Sequence, residues 1–143
     1  MNLMKRSTKN LMNAGIILIV AGWITSPILA GKVGSVTVKE LAGMLKSKAK
    51  VTVVDANGSG TRKKHGIIPG AVLLTNYSSY NAAKELPADK KQKLVFYCAN
   101  TYCSAAPKAA EKAIKAGYTN VTHLPEGIMG WNKAGQKAQT YKP

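Results

Sequence analysis

Two continuous runs of β-branched and other apolar residues dominate the pattern along the chain. They are VTVVDA at 51–56 and KLVFYC at 93–98. Such runs are typical of strands buried on both faces, as in a parallel sheet. NVTHL at 120–124 predicts a third strand, and IIPGAVLL at 67–74 predicts a turn followed by a short strand.

Helical patterns occur between these strands. Thr37 can cap a helix whose apolar positions are Val38, Leu41, Met44 and Leu45. The segment 104–118 predicts a longer helix, with Ser104 as the N-cap, Pro107 in the first turn, Gly117 after the last turn, and a buried face made mostly of alanine.

Segments 79–86 and 126–135 predict short helices, while the glycines and charges of 57–66 predict a loop. Strands alternating with helices indicate an α/β fold with a mostly parallel central sheet and helices on both faces. A chain of 143 residues is long enough for one such domain.

The first 30 residues have the three-part layout of a secretory signal peptide. Three basic residues precede the apolar run AGIILIVAGWI at 14–24, and Pro27 and the small residue Ala30 follow it. We therefore expect a signal peptide at 1–30, a domain at 31–143 and a periplasmic location. The run is short for a membrane span of about 20 residues. An uncleaved anchor that holds the domain at the periplasmic face of the inner membrane is the alternative, and a membrane is expected as a partner only in that case.

The charge balance is strongly basic, with 21 Lys and Arg against six Asp and Glu and a formal net charge of +15. Loss of residues 1–30 would remove three positive charges and leave the domain basic. This charge predicts attraction to anions, from small oxyanions to acidic proteins. Export, and the lack of aromatic residues between the basic ones, argue against nucleic acid as a partner.

Both cysteines of the chain lie in one short segment, YCANTYCSA at 97–105. Cys98 ends a predicted strand and Ser104 begins a predicted helix, which is where α/β sheets commonly bind ligands. Inward-facing backbone amides and the helix dipole would favour a thiolate at Cys98. A disulfide with Cys103, half of a metal site, or a small buried residue are the other interpretations; an exported protein favours oxidation.

Five motifs in order make residues 36–135 resemble a single-domain rhodanese, a thiosulfate sulfurtransferase-like family. VTVVDA at 51–56 corresponds to the family's strand ending in aspartate, and GIIPGA at 66–71 to its G-H-I-P-G-A stretch. LVFYC followed by ANTYCSA at 94–105 corresponds to the strand with its active-site loop. AGYTNV at 116–121 corresponds to the AGY-x-N-V segment, and LPEGIMGW at 124–131 to the L-x-G-G-x-x-x-W ending.

The resemblance implies that Cys98 is a catalytic nucleophile. It would carry sulfane sulfur as a persulfide, from a small anionic donor such as thiosulfate to a thiol acceptor. The following loop would bind the sulfur or the anion through its backbone amides, at Ala99, Asn100, Thr101, Tyr102, Cys103 and Ser104. No cofactor and no metal are implied.

Three positions depart from the family pattern. Cys103 stands where the loop often has arginine or threonine, Asn57 where arginine usually follows the aspartate, and Ile67 in place of histidine. Loss of a loop arginine predicts weak thiosulfate binding, unless nearby basic residues compensate. The candidates for that role are Arg62, Lys63, Lys64 and Lys108.

Ser104 stands where phosphatase relatives of the fold need arginine, which argues against a phosphatase. Cys103 is a candidate resolving thiol that would attack an oxidised or persulfurated Cys98. The alternative functions are a redox-active or non-catalytic rhodanese-like module, and a basic anion-binding module. Tyr97 and Trp131 are expected in the core, and Tyr102 is an open candidate for a pocket wall. The sequence leaves the oligomeric state open.

Overall fold

The computed structural model describes residues 33–143, so the predicted signal segment and its boundary lie outside the described residues. Strands and helices alternate along this part of the chain. In order they are β1 (Gly34–Ser35), α1 (Val38–Lys46), β2 (Val51–Asp55), α2 (Ser59–His65), β3 (Val72–Leu73), α3 (Ala82–Glu85), β4 (Lys93–Tyr97), α4 (Ala105–Lys115), β5 (Val121–Leu124) and α5 (Gly127–Lys133).

All five strands form one parallel sheet in the order β1-β5-β4-β2-β3. The predicted α/β class is therefore confirmed. The central strand β4 pairs with β2 and β5, so that Tyr97 lies opposite both Asp55 and Leu124. Because the strands are parallel, the residues that follow β2, β4 and β5 meet at one edge of the sheet. None of the helices within residues 33–143 is both long and apolar enough to cross a membrane.

Side chains of β4 alternate between two hydrophobic layers. Leu94, Phe96 and Cys98 belong to the layer that contains α4, whereas Val95 and Tyr97 belong to the layer that contains α1 and α5. This alternation follows from the two-residue period of a strand. Cys98 thus continues the strand pattern, and its side chain lies on the α4 side.

The helix α4 approaches the sheet through a face of small residues. Ala106, Ala109, Ala110 and Ala113 are at most 1% exposed. Alanine has the highest helix propensity, and its small side chain lets the helix axis come close to β4. The hydroxyl of Tyr80 donates to the carbonyl of Ala109 at 2.7 Å, which holds the helix on its outer side.

The segment 57–66 was predicted as a loop, and that prediction is wrong, since α2 occupies most of it. The sequence SGTRKKH has no apolar stripe, so the usual signal of a helix is missing. The single inward residue is Arg62, which is 7% exposed and donates to the carbonyls of Asp55 and Leu74 at 3.1 and 3.0 Å. A buried cation, rather than hydrophobic side chains, holds this helix against the sheet.

The other helices lie where the pattern predicts them. Thr37 caps α1 in a reciprocal capping box with Glu40. Ser104 is the N-cap residue of α4, although its side chain makes no capping hydrogen bond. Trp131 is buried in the core as expected, with its indole N–H donating to the carbonyl of Lys137 at 3.1 Å.

Replacement of Ala110 by leucine should destabilise the protein by about 1–3 kcal/mol, because the larger side chain has no space between α4 and the sheet. Glu111→Leu on the exposed side of the same helix should change stability by only about 0.5 kcal/mol or less. Urea unfolding of the two variants measures the difference, and equal losses would contradict the close helix–sheet contact.

Candidate active site

Cys98 directly follows β4, and the loop after it returns the chain to Cys103. The two sulfur atoms are joined as a disulfide, and the Cα atoms are 6.3 Å apart, within the usual range for such a bond. Cys98 is 2% exposed, while Cys103 is partly exposed. The two cysteines that the sequence placed in one loop are therefore in direct contact, and one of them is open to solvent.

Asn100 shapes the loop between the cysteines. Its side-chain oxygen accepts the N–H of Tyr102 at 3.0 Å, and its carbonyl accepts the N–H of Cys103 at 3.1 Å. This is a turn that asparagine favours because its short side chain mimics a backbone acceptor. The turn brings Cys103 back beside Cys98. Asn100 therefore has a role beyond that of an anion-binding loop position, and the preference of asparagine for turns is the sequence signal for it.

The start of α5 fixes the first peptides of the loop. The N–H of Ile128 donates to the carbonyl of Cys98 at 2.9 Å, and the N–H of Met129 donates to the carbonyl of Ala99 at 3.0 Å. In a planar trans peptide the N–H points opposite to the C=O. The N–H groups of Ala99 and Asn100 therefore point away from α5.

Six N–H groups of the loop and the first helical turn have no acceptor within the described residues 33–143. They belong to Ala99, Asn100, Thr101, Ser104, Ala105 and Ala106. Three of them lie at the N-terminal end of α4, where the helix dipole adds a partial positive charge. The Cys98 Sγ itself lies 3.4 Å from the carbonyl oxygen of Cys103. Free amide donors that face a sulfur atom would stabilise a thiolate or a bound anion.

The exposed positions of the loop do not form a cavity wall. Tyr102 is 95% exposed, so its ring does not line a pocket in this state. One surface cleft is lined by residues 137–142 and the segment 67–73, and another is lined mainly by residues 42–46 of α1; neither includes residues 98–104. With its sulfur buried and bonded, Cys98 is not available for attack in the disulfide form.

A buried polar network includes Tyr97, the last residue of β4, which directly precedes Cys98. The carboxylate of Asp55 accepts the hydroxyl of Tyr97 at 2.6 Å and the N–H of Asn57 at 2.7 Å. The Tyr97 hydroxyl in turn accepts the N–H of Ile68 at 3.0 Å. Burial raises the pKa of Asp55, and its hydrogen bonds with Tyr97 and Asn57 and the charge of Arg62 oppose this shift only in part. The network ties β2, β4 and the segment 67–70 together beneath the loop.

Arg62 belongs to this network, which overturns its interpretation as a substitute anion-binding residue. Its Nε lies 3.5 Å from the Asp55 carboxylate, an ion pair too long to count as a hydrogen bond. A guanidinium held in the protein interior by Asp55 and two carbonyls cannot reach the loop. Lys63, Lys64 and Lys108 are exposed, and Lys108 lies in the first turn of α4.

The metal and phosphatase interpretations gain no support. Between residues 33 and 143, no group of three or more His, Cys, Asp or Glu side chains is arranged to hold a metal ion. His123 is partly buried, and its Nδ1 lies 3.1 Å from the carbonyl oxygen of Gly34. Arg62 is the single arginine of the described part of the chain, so no arginine faces the loop to bind a phosphoryl group.

Comparison with known families gives a match over most of the chain. Residues 37–134 match the family model of the rhodanese-like domain. This segment begins at the cap of α1, ends just after α5 and contains both cysteines. No curated protein shows a significant match.

Several solved structures share the fold. A thiosulfate sulfurtransferase from Pseudomonas aeruginosa has a TM-score of 0.63 and 22% identity, over 77% of this chain and 21% of that one. A rhodanese-like domain from Anabaena sp. has a TM-score of 0.61 and 18% identity, over 74% and 80%. A Rhodopseudomonas palustris protein described as a possible tyrosine phosphatase has a TM-score of 0.62 and 24% identity, over 75% and 85%. At these identities the similarity establishes the fold.

Substitution of Gly127 by alanine should disturb the loop. Gly127 has φ +59°, and an added Cβ would lie 2.5 Å from the carbonyl oxygen of Cys98 and 2.6 Å from the backbone of Ala99. Gly135→Ala is a matched control, because its φ is +74° and nothing lies within 4 Å. Both variants carry backbone strain of about 1–2 kcal/mol. Gly127→Ala should lose clearly more stability in urea unfolding, and equal losses would contradict the close contact.

The titration of Asp55 should appear in the pH dependence of stability. Because burial raises its pKa above 3.8, the folded protein holds this proton to higher pH than the unfolded chain does. The resulting stabilisation is present at acid pH and is lost as the pH rises through the raised pKa. The stability advantage of wild type over Asp55→Asn should therefore shrink from acid to neutral pH. Urea unfolding across this range measures it, and an advantage that grows with pH would refute the assignment.

Proposed function

Since the chain belongs to the rhodanese-like family, we propose that it is a sulfurtransferase whose reduced Cys98 carries sulfane sulfur as a persulfide. The family supports sulfur transfer in general. The assignment of Cys98, the persulfide and the donor is our own. The observation that carries it is the position of Cys98 directly after the central strand β4, followed by a loop and a helix start with six N–H groups that have no acceptor within residues 33–143.

The first half-reaction breaks the sulfur–sulfur bond of an anionic donor. The Cys98 thiolate attacks the outer sulfur of thiosulfate, a new S–S bond forms, and sulfite leaves with the electron pair of the broken bond. The product is a Cys98 persulfide anion. Free amide donors on Ala99, Asn100 and Ser104 would stabilise the negative charge on the sulfur at every stage.

The second half-reaction passes the outer sulfur to a thiophile. A thiolate attacks the outer sulfur, the persulfide bond breaks, and Cys98 leaves as a thiolate while the acceptor becomes a persulfide. Cyanide serves the same purpose in an assay and gives thiocyanate. Amide donors that stabilise the Cys98 thiolate would make it both a nucleophile and a good leaving group.

The charge of the domain supports an anionic donor, although the loop has no arginine. The exposed lysines Lys63, Lys64 and Lys108 would attract thiosulfate as point charges, without the two parallel hydrogen bonds of a guanidinium. Of these lysines, Lys108 is nearest in sequence to the loop. Weak affinity for thiosulfate itself, with turnover at high donor concentration, is the expected result.

A second candidate function rests on the disulfide between Cys98 and Cys103. A rhodanese-like module with this pair could exchange thiols and disulfides with a partner and transfer no sulfur. The two candidates differ in whether Cys98 takes up sulfur. Export to the periplasm, where such a disulfide persists, remains part of the proposal and is carried by the sequence of residues 1–30.

Mass measurement after exposure to thiosulfate tests the sulfurtransferase function. Reduced Cys103→Ser protein should gain about 32 Da, one sulfur atom, and should form thiocyanate when cyanide is added. Cys98→Ser, the matched single-cysteine variant, should gain no mass and form no thiocyanate. Folded Cys103→Ser protein that takes up no sulfur would overturn the proposal and leave the thiol–disulfide module in its place.

A further inference from the structure

We propose that Cys103 completes a reductive cycle in which the sulfur carried by Cys98 is released as hydrosulfide and an external thiol restores the loop. This inference rests on the proposed function, because it starts from a Cys98 persulfide. It adds an activity, the reduction of sulfane sulfur to sulfide, and assigns Cys103 as the catalytic residue of that step.

The geometry of the loop supports the first step. Cys103 is held beside Cys98 by the Asn100 turn, and the structure joins its sulfur to the sulfur of Cys98 itself. In a persulfide the Cys98 sulfur is the inner atom. Cys103 therefore reaches the inner sulfur, whereas a thiol acceptor from solvent would take the outer one.

Attack at the inner sulfur fixes the products. The Cys103 sulfur forms a bond to the Cys98 sulfur, and the bond between the inner and outer sulfur breaks. The outer sulfur leaves with the electron pair, takes the proton that Cys103 gave up, and departs as hydrosulfide. The persulfide is thereby reduced, and the cysteine pair is oxidised to the disulfide seen in the structure.

The exposure of the two cysteines determines which sulfur of the disulfide an external thiolate attacks. Cys98 is 2% exposed and Cys103 is partly exposed, so an external thiolate has access to Cys103. Attack there yields a mixed disulfide on Cys103 and releases Cys98 as a thiolate beside the free amides.

A second thiol then displaces Cys103 and returns the reduced loop. Over one cycle, thiosulfate and two thiols give sulfite, hydrosulfide, one proton and one oxidised thiol pair, so atoms, charge and electrons balance. The co-reactant is thus a thiol reductant, and a dithiol supplies both equivalents from one molecule. A dithiol protein or small dithiol is the partner that this chemistry requires.

The experiment uses the full chain, reduced and freed of excess reductant, with thiosulfate under anaerobic conditions. Wild type should release about one hydrosulfide per chain, lose both free thiols and retain no added sulfur. Cys103→Ser and Cys103→Ala should each retain the added sulfur, about 32 Da, and release hydrosulfide only after dithiothreitol is added. Retention of the sulfur by wild type, with two cysteines present, would overturn the inference and leave the proposed function intact.

The same samples distinguish failure of the proposed sulfurtransferase function from failure of the reductive cycle. If neither folded Cys103 variant takes up sulfur, the proposed sulfurtransferase fails and the inference fails with it. The direction of opening is tested separately by brief treatment of oxidised wild type with glutathione, acid quenching and peptide fragmentation. The glutathione adduct should be on Cys103, and an adduct on Cys98 would overturn the assigned direction.

Discussion

Two hydrogen bonds between the start of α5 and the chain that leaves β4 determine how the rest of the site is arranged. They bind the carbonyls of Cys98 and Ala99, and peptide planarity then turns the following N–H groups to the opposite side. These bonds keep the carbonyls of Cys98 and Ala99 turned toward α5. Gly127 permits the contact, because a side chain there would overlap the backbone of the loop. The helix α5 therefore shapes the loop through its backbone N–H groups.

Near the base of the loop, a buried ion pair between Asp55 and Arg62 links β2 to α2. The charge of Asp55 is removed from water and is compensated by Tyr97, Asn57 and Arg62. Pairs of this kind contribute little net stability, but removal of one partner leaves a costly unpaired charge. The same interactions hold α2 and the segment 67–70 against the sheet, so the base of the loop has one defined geometry.

The sequence predicts those parts of the molecule that depend on regular patterns. The β-branched runs identify β2 and β4, the alanine face and Gly117 identify α4, and the family motifs locate Cys98 in its loop. The helix α2 was missed because SGTRKKH has no apolar stripe, and the inward turn of Arg62 depends on a carboxylate seven residues away. Spacing alone left the pairing of Cys98 with Cys103 open. Two cysteines five positions apart can form a disulfide only when a turn, such as that of Asn100, brings them together. The tie between α5 and the loop joins residues about 30 positions apart, and backbone bonds leave almost no mark on side-chain pattern.

The disulfide also protects the chain against damage. A free thiolate is open to stepwise oxidation, and the sulfinic and sulfonic acids at the end of that path are not recovered by thiols. In the bonded form Cys98 has no thiolate to lose and almost no contact with solvent. Oxidative stress would therefore convert the pool of protein into a resting form that thiols can reopen, and losses to irreversible inactivation would be confined to the brief interval in which the loop is reduced.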